Sequence, residues 1–471
     1  MQAHKQIWSI LLIAFLFTGA VKARQESAKT YSYTLEPVSV FSLSNGYAEI
    51  GFKRGQQVTC QKEPFAQMQS YPTFVSDAPL YGSIHVGGIY AEKTSGVVYH
   101  FAIDESKGTD TGYDCLYMDQ NKDRNLANDR PVAANAEAPA GTRLNYAWIK
   151  EQVCFKPVSL MMPLGTGTVE KPLEIMPRLM IAEEDNATMS FVTTQAHKAD
   201  IDIAGERFTA LLGHNSRISG WFDQAQTTLH LIPSGRRQGP SWWGSDQLGA
   251  LHQIKGVYYQ FSASPAGDRL TAKPYQGDWG LLEVGDGGRQ IKDLGLRGSV
   301  MSRQVTAPVG KMANRDWPQK ARSCRLPVGA YAPSMVTVTL GRLDIQMSYN
   351  YHSDGIPRGR GDRSLVYPFK ISGDKPFVMD FSNPPAVLFA SPKQAERFKP
   401  GDEILVKAVL IDPQWDTMIR GLTDTTRKQD KEFKTPDGST ERYKQDLSLD
   451  PTVTITRANG QQVAEGLLPF G

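Results

Sequence analysis

The sequence predicts an all-β protein made of tandem β-sandwich or β-barrel-like domains, with an immunoglobulin-like sandwich at the C-terminus. Short runs rich in Val, Ile, Tyr, Phe and Thr alternate with turn clusters along the chain, and Gly and Pro are frequent, at 42 and 29 of 471 residues. Such spacing is typical of sandwiches and barrels. Long apolar stripes with the 3.6-residue period of a helix are absent after the N-terminal segment.

The N-terminal segment has the three parts of a secretory signal peptide. A short start containing Lys5 precedes an apolar run from Ile7 to Val21, and Val21 and Ala23 are the small residues before a cut. The run is shorter than the ~20 residues that span a bilayer. We therefore expect residues 1–23 to be removed, no transmembrane segment to remain, and the protein to be secreted or held in the periplasm or cell envelope.

Several strands can be assigned in the central part of the chain. The runs 83–90, 96–103, 208–212 and 228–232 have strand composition. The clearest hairpin joins strands at 257–261 and 269–272 through Ser-Pro-Ala-Gly-Asp, in which Pro presets φ and Gly accepts a positive φ. The loops that follow the runs 208–212 and 228–232 could be degenerate copies of the Asp119 loop that follows the run 96–103, and coincidence is an open alternative.

The last hundred residues form the most distinct predicted unit. Strands are expected at 387–390, 403–411 and 452–456, and Asn459-Gly460 is a strong hairpin signal. Residues 423–444 are charged and poor in apolar side chains, which indicates a solvated loop or flap. The predicted organisation is a signal peptide at 1–23, a β-rich domain at 24–170, β-rich domain(s) with a possible degenerate repeat at 171–378, and an immunoglobulin-like domain at 379–471.

Charge and cysteine usage restrict the function classes. The formal net charge is only +3, so the composition favours neither nucleic acid nor anionic lipid as a partner. The four cysteines are far apart, without the Cys-x-x-Cys spacing of zinc or redox sites. In an exported chain an even count predicts disulfides. The favoured pairing joins Cys115 to Cys154 and leaves Cys60 and Cys324 as a second pair.

One loop carries the spacing of a calcium site. Oxygen-bearing side chains occupy alternate positions directly after a strand-like run, as in loops that wrap a hard cation. The predicted ligands are Asp119, Asn121, Asp123, the carbonyl of Asn125, and Asp129. Two residues depart from the pattern: Arg124 replaces the glycine of the sharp turn, and Asp129 stands one residue before the usual closing carboxylate. The alternative is a turn in which these side chains bond only their own backbone.

Other candidate sites are weaker. Trp242 and Trp243, with polar neighbours, could form an aromatic platform for a sugar, or else cover the core of a β-domain. The Arg-Gly-Asp triplet at 360–362 carries little information. No sequence signature of a metalloprotease, serine hydrolase, P-loop or dinucleotide site is present.

Three stretches resemble uncharacterised exported, β-rich proteins of environmental bacteria. They are the loop from Leu116 to Asp129, the hairpin from Gly256 to Tyr275, and the segment from Leu447 to Gly466. The resemblance covers about a third of the chain. It implies a secreted, modular β protein with a calcium-type loop and no known activity.

Two functions of different class remain. The first is a non-enzymatic structural or ligand-binding protein of the cell envelope or extracellular space, with calcium as a structural ion. It follows from the predicted export, the tandem β-domains and the lack of a catalytic signature. The alternative is a carbohydrate-active enzyme or its carbohydrate-binding module, based on Trp242, Trp243 and the free carboxylates.

Overall fold

The structure is a computed structural model. It describes residues 29–43, 47–86, 97–109, 112–139, 141–143, 149–163, 170–182, 186–215, 218, 220–225, 227–235, 247–302, 305–311, 319–352, 355–358, 364–392, 396–399, 401–434 and 440–470. Strands make up 58 % and helices 3 % of the structure, arranged mostly in antiparallel sheets, which confirms the predicted all-β, sandwich-type fold. No helix in these ranges is long and apolar enough to cross a membrane.

The described residues up to 274 contain seventeen strands and all the described helices. In order these are β1 (Tyr31–Thr34), β2 (Glu36–Ser39), a 3₁₀ turn (Val40–Ser42), α1 (Tyr47–Arg54), β3 (Gln56–Thr59), β4 (Leu80–Val86), β5 (Val97–Asp104), β6 (Cys115–Met118), a 3₁₀ turn (Leu126–Asn128), β7 (Val132–Ala133), β8 (Ile149–Cys154), β9 (Val158–Pro163), β10 (Glu170–Ala182), β11 (Ala187–Thr193), β12 (Gln195–Ile203), β13 (Glu206–Gly213), β14 (Thr228–Pro233), β15 (Leu251–Ile254), β16 (Val257–Ala263) and β17 (Arg269–Pro274).

The described residues from 279 onward contain fourteen strands. They are β18 (Trp279–Val284), β19 (Leu294–Met301), β20 (Thr306–Val309), β21 (Ser323–Pro327), β22 (Gly329–Leu340), β23 (Leu343–Ser348), β24 (Phe369–Ile371), β25 (Phe377–Met379), β26 (Ala386–Ser391), β27 (Lys407–Asp412), β28 (Thr417–Lys434), β29 (Thr440–Ser448), β30 (Thr452–Thr456) and β31 (Gln462–Leu467). The predicted hairpin with the turn at 264–268 is confirmed as β16 and β17, and the Asn-Gly hairpin as β30 and β31.

Six of the sheets share three main cores. The sheet β4-β5-β6-β7 packs on β3-β11-β10-β8, to which β9 is added, around residues such as Phe101 and Phe191. The sheet β1-β17-β16-β15 packs on β14-β13-β12-β2 around Phe208 and Phe261. The sheet β21-β18-β25 packs on the nine-stranded sheet that runs from β20 to β26. Some strands alternate between buried and more exposed residues, as β17 does, whereas others, such as β11 and β19, are buried along almost their whole length.

The sheets do not follow the predicted domain divisions. The N-terminal strands β1 and β2 pair with β17 and β12, so residues before 40 join sheets formed by residues 195–274. In the C-terminal part, β26 and β27 extend the sheet of β22, β23 and β28 across residue 379. The divisions at 170 and 378 therefore do not coincide with sheet boundaries.

The segment 423–444 was predicted to be a solvated loop or flap, and it is not an irregular loop. Most of this segment lies in β28 and β29, which form a long antiparallel ribbon whose tip, 435–439, is outside the described residues. Asp424 is buried, but the charged side chains nearer the tip are mostly exposed, and some pair across the strands, as in the contacts Lys428–Asp446 and Arg442–Glu432. A two-stranded ribbon that faces water on both sides is held by backbone hydrogen bonds and does not need alternating apolar and polar residues. The expectation of a loop rested on the absence of that alternation.

Candidate calcium loop

The candidate site begins where β6 ends. Leu116 and Met118 of β6 are fully buried, and the chain continues directly into Asp119, whose backbone N–H donates to the carbonyl of His100 on β5 at 2.9 Å. This bond continues the pairing of β5 and β6 by one residue. As a result Asp119 is only 1 % exposed, which is unusual for a carboxylate.

The next residues form three successive Asx turns. The side-chain oxygen of Asn121 accepts from the N–H of Asp123 at 3.1 Å, and Asp123 accepts from the N–H of Asn125 at 2.8 Å. Asn125 in turn accepts from Ala127 at 3.1 Å and caps the 3₁₀ turn Leu126–Asn128. The Asx bonding that the sequence offered as an alternative is therefore present.

The chain turns back at Arg124 in the left-handed conformation. Its φ is 64°, and that of Lys122 is 63°. The backbone N–H of Arg124 donates to Oδ2 of Asp119 at 3.1 Å, which closes the loop on its first residue. In calcium loops a glycine occupies this position because of the same turn. Arg124 adopts the turn without the freedom of glycine, as expected from the sequence.

Two carboxylate oxygens at the base of the loop are buried without a hydrogen-bond partner among the described residues. They are Oδ1 of Asp119 and Oδ2 of Asp129. Burial, together with the negative charges of Asp119 and Asp123, raises the pKa of Asp129 to about 6. Ionisation of Asp129 at neutral pH therefore costs free energy, and a cation bound at these oxygens would offset that cost.

Two of the neighbouring basic groups do not neutralise this charge. The ammonium of Lys122 bonds to Glu170 at 2.9 Å, away from the buried oxygens. Burial lowers the pKa of His100, so its imidazole is neutral at pH 7. The positive charge that would balance Asp119 and Asp129 is therefore not supplied by Lys122 or His100.

The loop does not hold its oxygens in a closed metal shell in this conformation. No group of three or more His, Cys, Asp or Glu side chains within the described residues converges on a common point. Oδ2 of Asp123 accepts from the side-chain amides of Asn121 at 2.9 Å and Asn128 at 2.7 Å. This oxygen can bind a cation only if the two amides turn away.

The loop also fixes a distant segment of the chain, which the sequence did not indicate. The carbonyl of Arg124 accepts from Gln69 at 2.7 Å, and the N–H of Leu126 donates to Ser70 at 3.0 Å. Leu126 is fully buried in a small cluster that includes Met68 and partly buried aromatic rings. An ion bound in the loop would therefore stabilise the packing of residues 65–74 as well.

The remaining predicted site residues lie elsewhere. Trp242 and Trp243 are outside the described residues, so the aromatic platform and the carbohydrate alternative stay predictions. The same holds for the Arg-Gly-Asp triplet, because 359–363 are outside the described residues.

The predicted disulfide between Cys115 and Cys154 is not formed. All four cysteines are free thiols. Cys115 lies opposite Ala133 in one sheet, whereas Cys154 is buried and lies opposite Arg178 in the other sheet of the sandwich. Both residues are in strands of the same region, as expected, but their strands belong to different sheets.

Comparison with known proteins gives no relative for this chain. No protein-family model matches it, and neither does any curated protein or solved structure. The loop geometry is therefore the basis of the functional proposal.

Proposed function

We propose that this protein is exported, that it serves as a non-enzymatic structural or ligand-binding protein of the cell envelope or extracellular space, and that its 119–129 loop binds calcium. The observation that carries the calcium site is the buried, unpartnered Oδ1 of Asp119 beside the unpartnered Oδ2 of Asp129. Buried charges in proteins are normally paired or bound to metal. The signal-like N-terminus supports export to a compartment where calcium is plentiful.

The ligand set is that of a hard cation. Asp119, Asp123 and Asp129 supply carboxylates, Asn121 an amide oxygen and Asn125 its backbone carbonyl, all of which are oxygen ligands that calcium prefers. Asp129 stands one position early, and Asp123 must first release two amides. We therefore expect weak binding, with a Kd of ~10⁻⁴–10⁻³ M, as in extracellular modules.

The test compares unfolding in calcium and in chelator. Calcium binds the folded loop and not the unfolded chain, so about 10 mM calcium should stabilise the protein by about 1.4–2.7 kcal/mol for this range of Kd. Superimposed unfolding curves in the two buffers would refute the calcium site.

Two substitutions of buried aspartates make the test specific. Asp119→Asn keeps the shape of the side chain and removes its charge, so it should stabilise the protein in chelator and abolish the response to calcium. Asp104 is the matched control: it is also 1 % exposed, but its two oxygens accept from the N–H groups of Val75 and Ser76 at 2.9 and 3.0 Å. Asp104→Asn should destabilise equally in both buffers, because it removes a satisfied carboxylate.

Export has a separate test. N-terminal sequencing of protein recovered outside the cytoplasm should begin at Arg24. A chain that starts at Met1 and stays in the cytoplasm would contradict this part of the proposal without affecting the calcium site.

A further inference from the structure

The C-terminal hairpin is a small sheet with little packing around it. Sheet β30-β31 has two strands, every residue of β31 is exposed, and so are Ile455 at 43 % and Leu467 at 67 %. A two-stranded sheet in water is marginally stable, and a third strand or a packed face is needed for independent stability. Pairing with another strand would therefore stabilise the hairpin.

The outer edge of β30 has free backbone groups. The carbonyl of Pro451 accepts from Leu468, and the N–H of Arg457 donates to Gln461, both at 2.8 Å, so residues 451 and 457 face β31. The backbone N–H and C=O groups of successive residues point alternately to the two sides of an antiparallel strand, so those of Val453 and Ile455 also face β31. Thr452, Thr454 and Thr456 then direct their N–H and C=O groups outward, where no described strand pairs with them.

We propose that a second copy of this chain supplies the missing strand. The two copies of β30 pair antiparallel about a twofold axis at Thr454, so that Thr454 lies opposite Thr454 of the second copy. Thr452 then lies opposite Thr456, and Val453 opposite Ile455. All three threonine pairs are of the hydrogen-bonded type, with two backbone bonds per pair. The result is a continuous four-stranded sheet across the dimer.

The sequence of β30 is nearly the same in both directions, so two copies match when they pair antiparallel. Thr pairs with Thr on one face and Val with Ile on the other, and such cross-strand pairs are favourable. The strand itself is uncharged, and the nearest charges flank it as Asp450 and Arg457. Antiparallel pairing brings Arg457 of each copy close to Asp450 of the other, so opposite charges meet at both ends of the interface.

Two other free edges are less suited to self-pairing. A twofold axis on β31 at Glu465 would set two glutamates directly opposite each other, which is destabilising. The edge strand β26 is uncharged but bulged, since its register shifts between Phe389 and Ser391 and the extra residue, Ala390, lies in β26 itself. The register of the C-terminal hairpin also shifts, between Ile455 and Thr456, but there the extra residue is Val463 of β31, and β30 stays regular. A bulge in an edge strand is a feature that prevents edge pairing.

The first test measures mass against concentration by sedimentation velocity. Thr454→Pro removes one outward N–H without removing a bond to β31, since prolines are tolerated on edge positions. Glu465→Pro is the matched control, because residue 465 faces outward on the opposite edge of the hairpin. The parent and Glu465→Pro should sediment as dimers, and Thr454→Pro at half that mass. A monomeric parent at every concentration, or an unchanged dimer with Thr454→Pro, would overturn the proposal.

The second test fixes the register by crosslinking. Across a hydrogen-bonded pair the two Cα atoms of residue 454 would be about 5.5 Å apart, within the ~4.4–6.8 Å of a disulfide. Thr454→Cys should therefore form a covalent dimer on oxidation. Thr456→Cys should not, because its two copies would be offset by about 13 Å along the strand. The four native cysteines are common to both variants, and equal crosslinking by both would refute the register.

Discussion

Replacing Arg124 by glycine should stabilise the protein, because the backbone at this position is left-handed. Its φ of 64° costs a residue with a β-carbon ~1–2 kcal/mol relative to a right-handed conformation. Glycine avoids this cost but loses more backbone freedom on folding, roughly 0.5–1 kcal/mol. The net gain should be about 1 kcal/mol. The two backbone bonds of Arg124, to Asp119 and Gln69, do not depend on its side chain and should persist.

Two control variants separate the backbone effect from others. Arg124→Gln removes the charge and keeps the β-carbon, so it should leave the free energy of unfolding nearly unchanged. Ala127→Gly places a glycine in the 3₁₀ turn of the same loop, where no positive φ is required, and should destabilise by about 0.5–1 kcal/mol.

The assay is urea unfolding in chelator and again in calcium, with the dependence on urea compared to confirm that the exposed surface is the same. Because the turn is left-handed already without an ion, the gain from Arg124→Gly should appear in both buffers. If Arg124→Gly is no more stable than Arg124→Gln in chelator, the assignment of strain to Arg124 is wrong.

Three further predictions concern titratable groups. Burial and the neighbouring His197 lower the pKa of His214 to about 4. As the pH falls, the unfolded chain therefore takes up the proton first, and roughly 3 kcal/mol of stability should be lost between pH 6.5 and pH 4. Unfolding measured across that range should show the loss, and His214→Phe should flatten the pH dependence. The pKa of Asp129 is raised to about 6, so without calcium its contribution to the free energy of unfolding falls as the pH rises from about 4 to 6. The Asp129→Asn variant should lose this pH dependence and should melt at a higher temperature than the parent at pH 7 in chelator. Burial raises the pKa of Cys60 and Cys324 to about 12, so both thiols of the folded protein should react slowly with a thiol reagent at pH 8. After denaturation, four thiols should react, and a smaller number would indicate disulfides.

Local chemistry made part of this structure predictable. The turn at 264–268 and the Asn-Gly pair at 459–460 lie between strands as expected, because Pro and Gly restrict or permit φ independently of the rest of the fold. The sharp turn at Arg124 was also predictable, since the alternating oxygen ligands require it. These features depend on a few adjacent residues.

Other features depend on residues far apart in the chain. The sequence by itself determined the all-β class, the hairpins and the order of oxygens in the 119–129 loop. Only the tertiary structure decided that Asp119 is buried, because that follows from the pairing of β5 with β6 and from the contact of the loop with residues 69–70. It also decided that Cys115 and Cys154 lie in different sheets, and that β1 pairs with β17 more than two hundred residues away. Such pairings are selected by the burial of whole sheet faces, which no local pattern specifies.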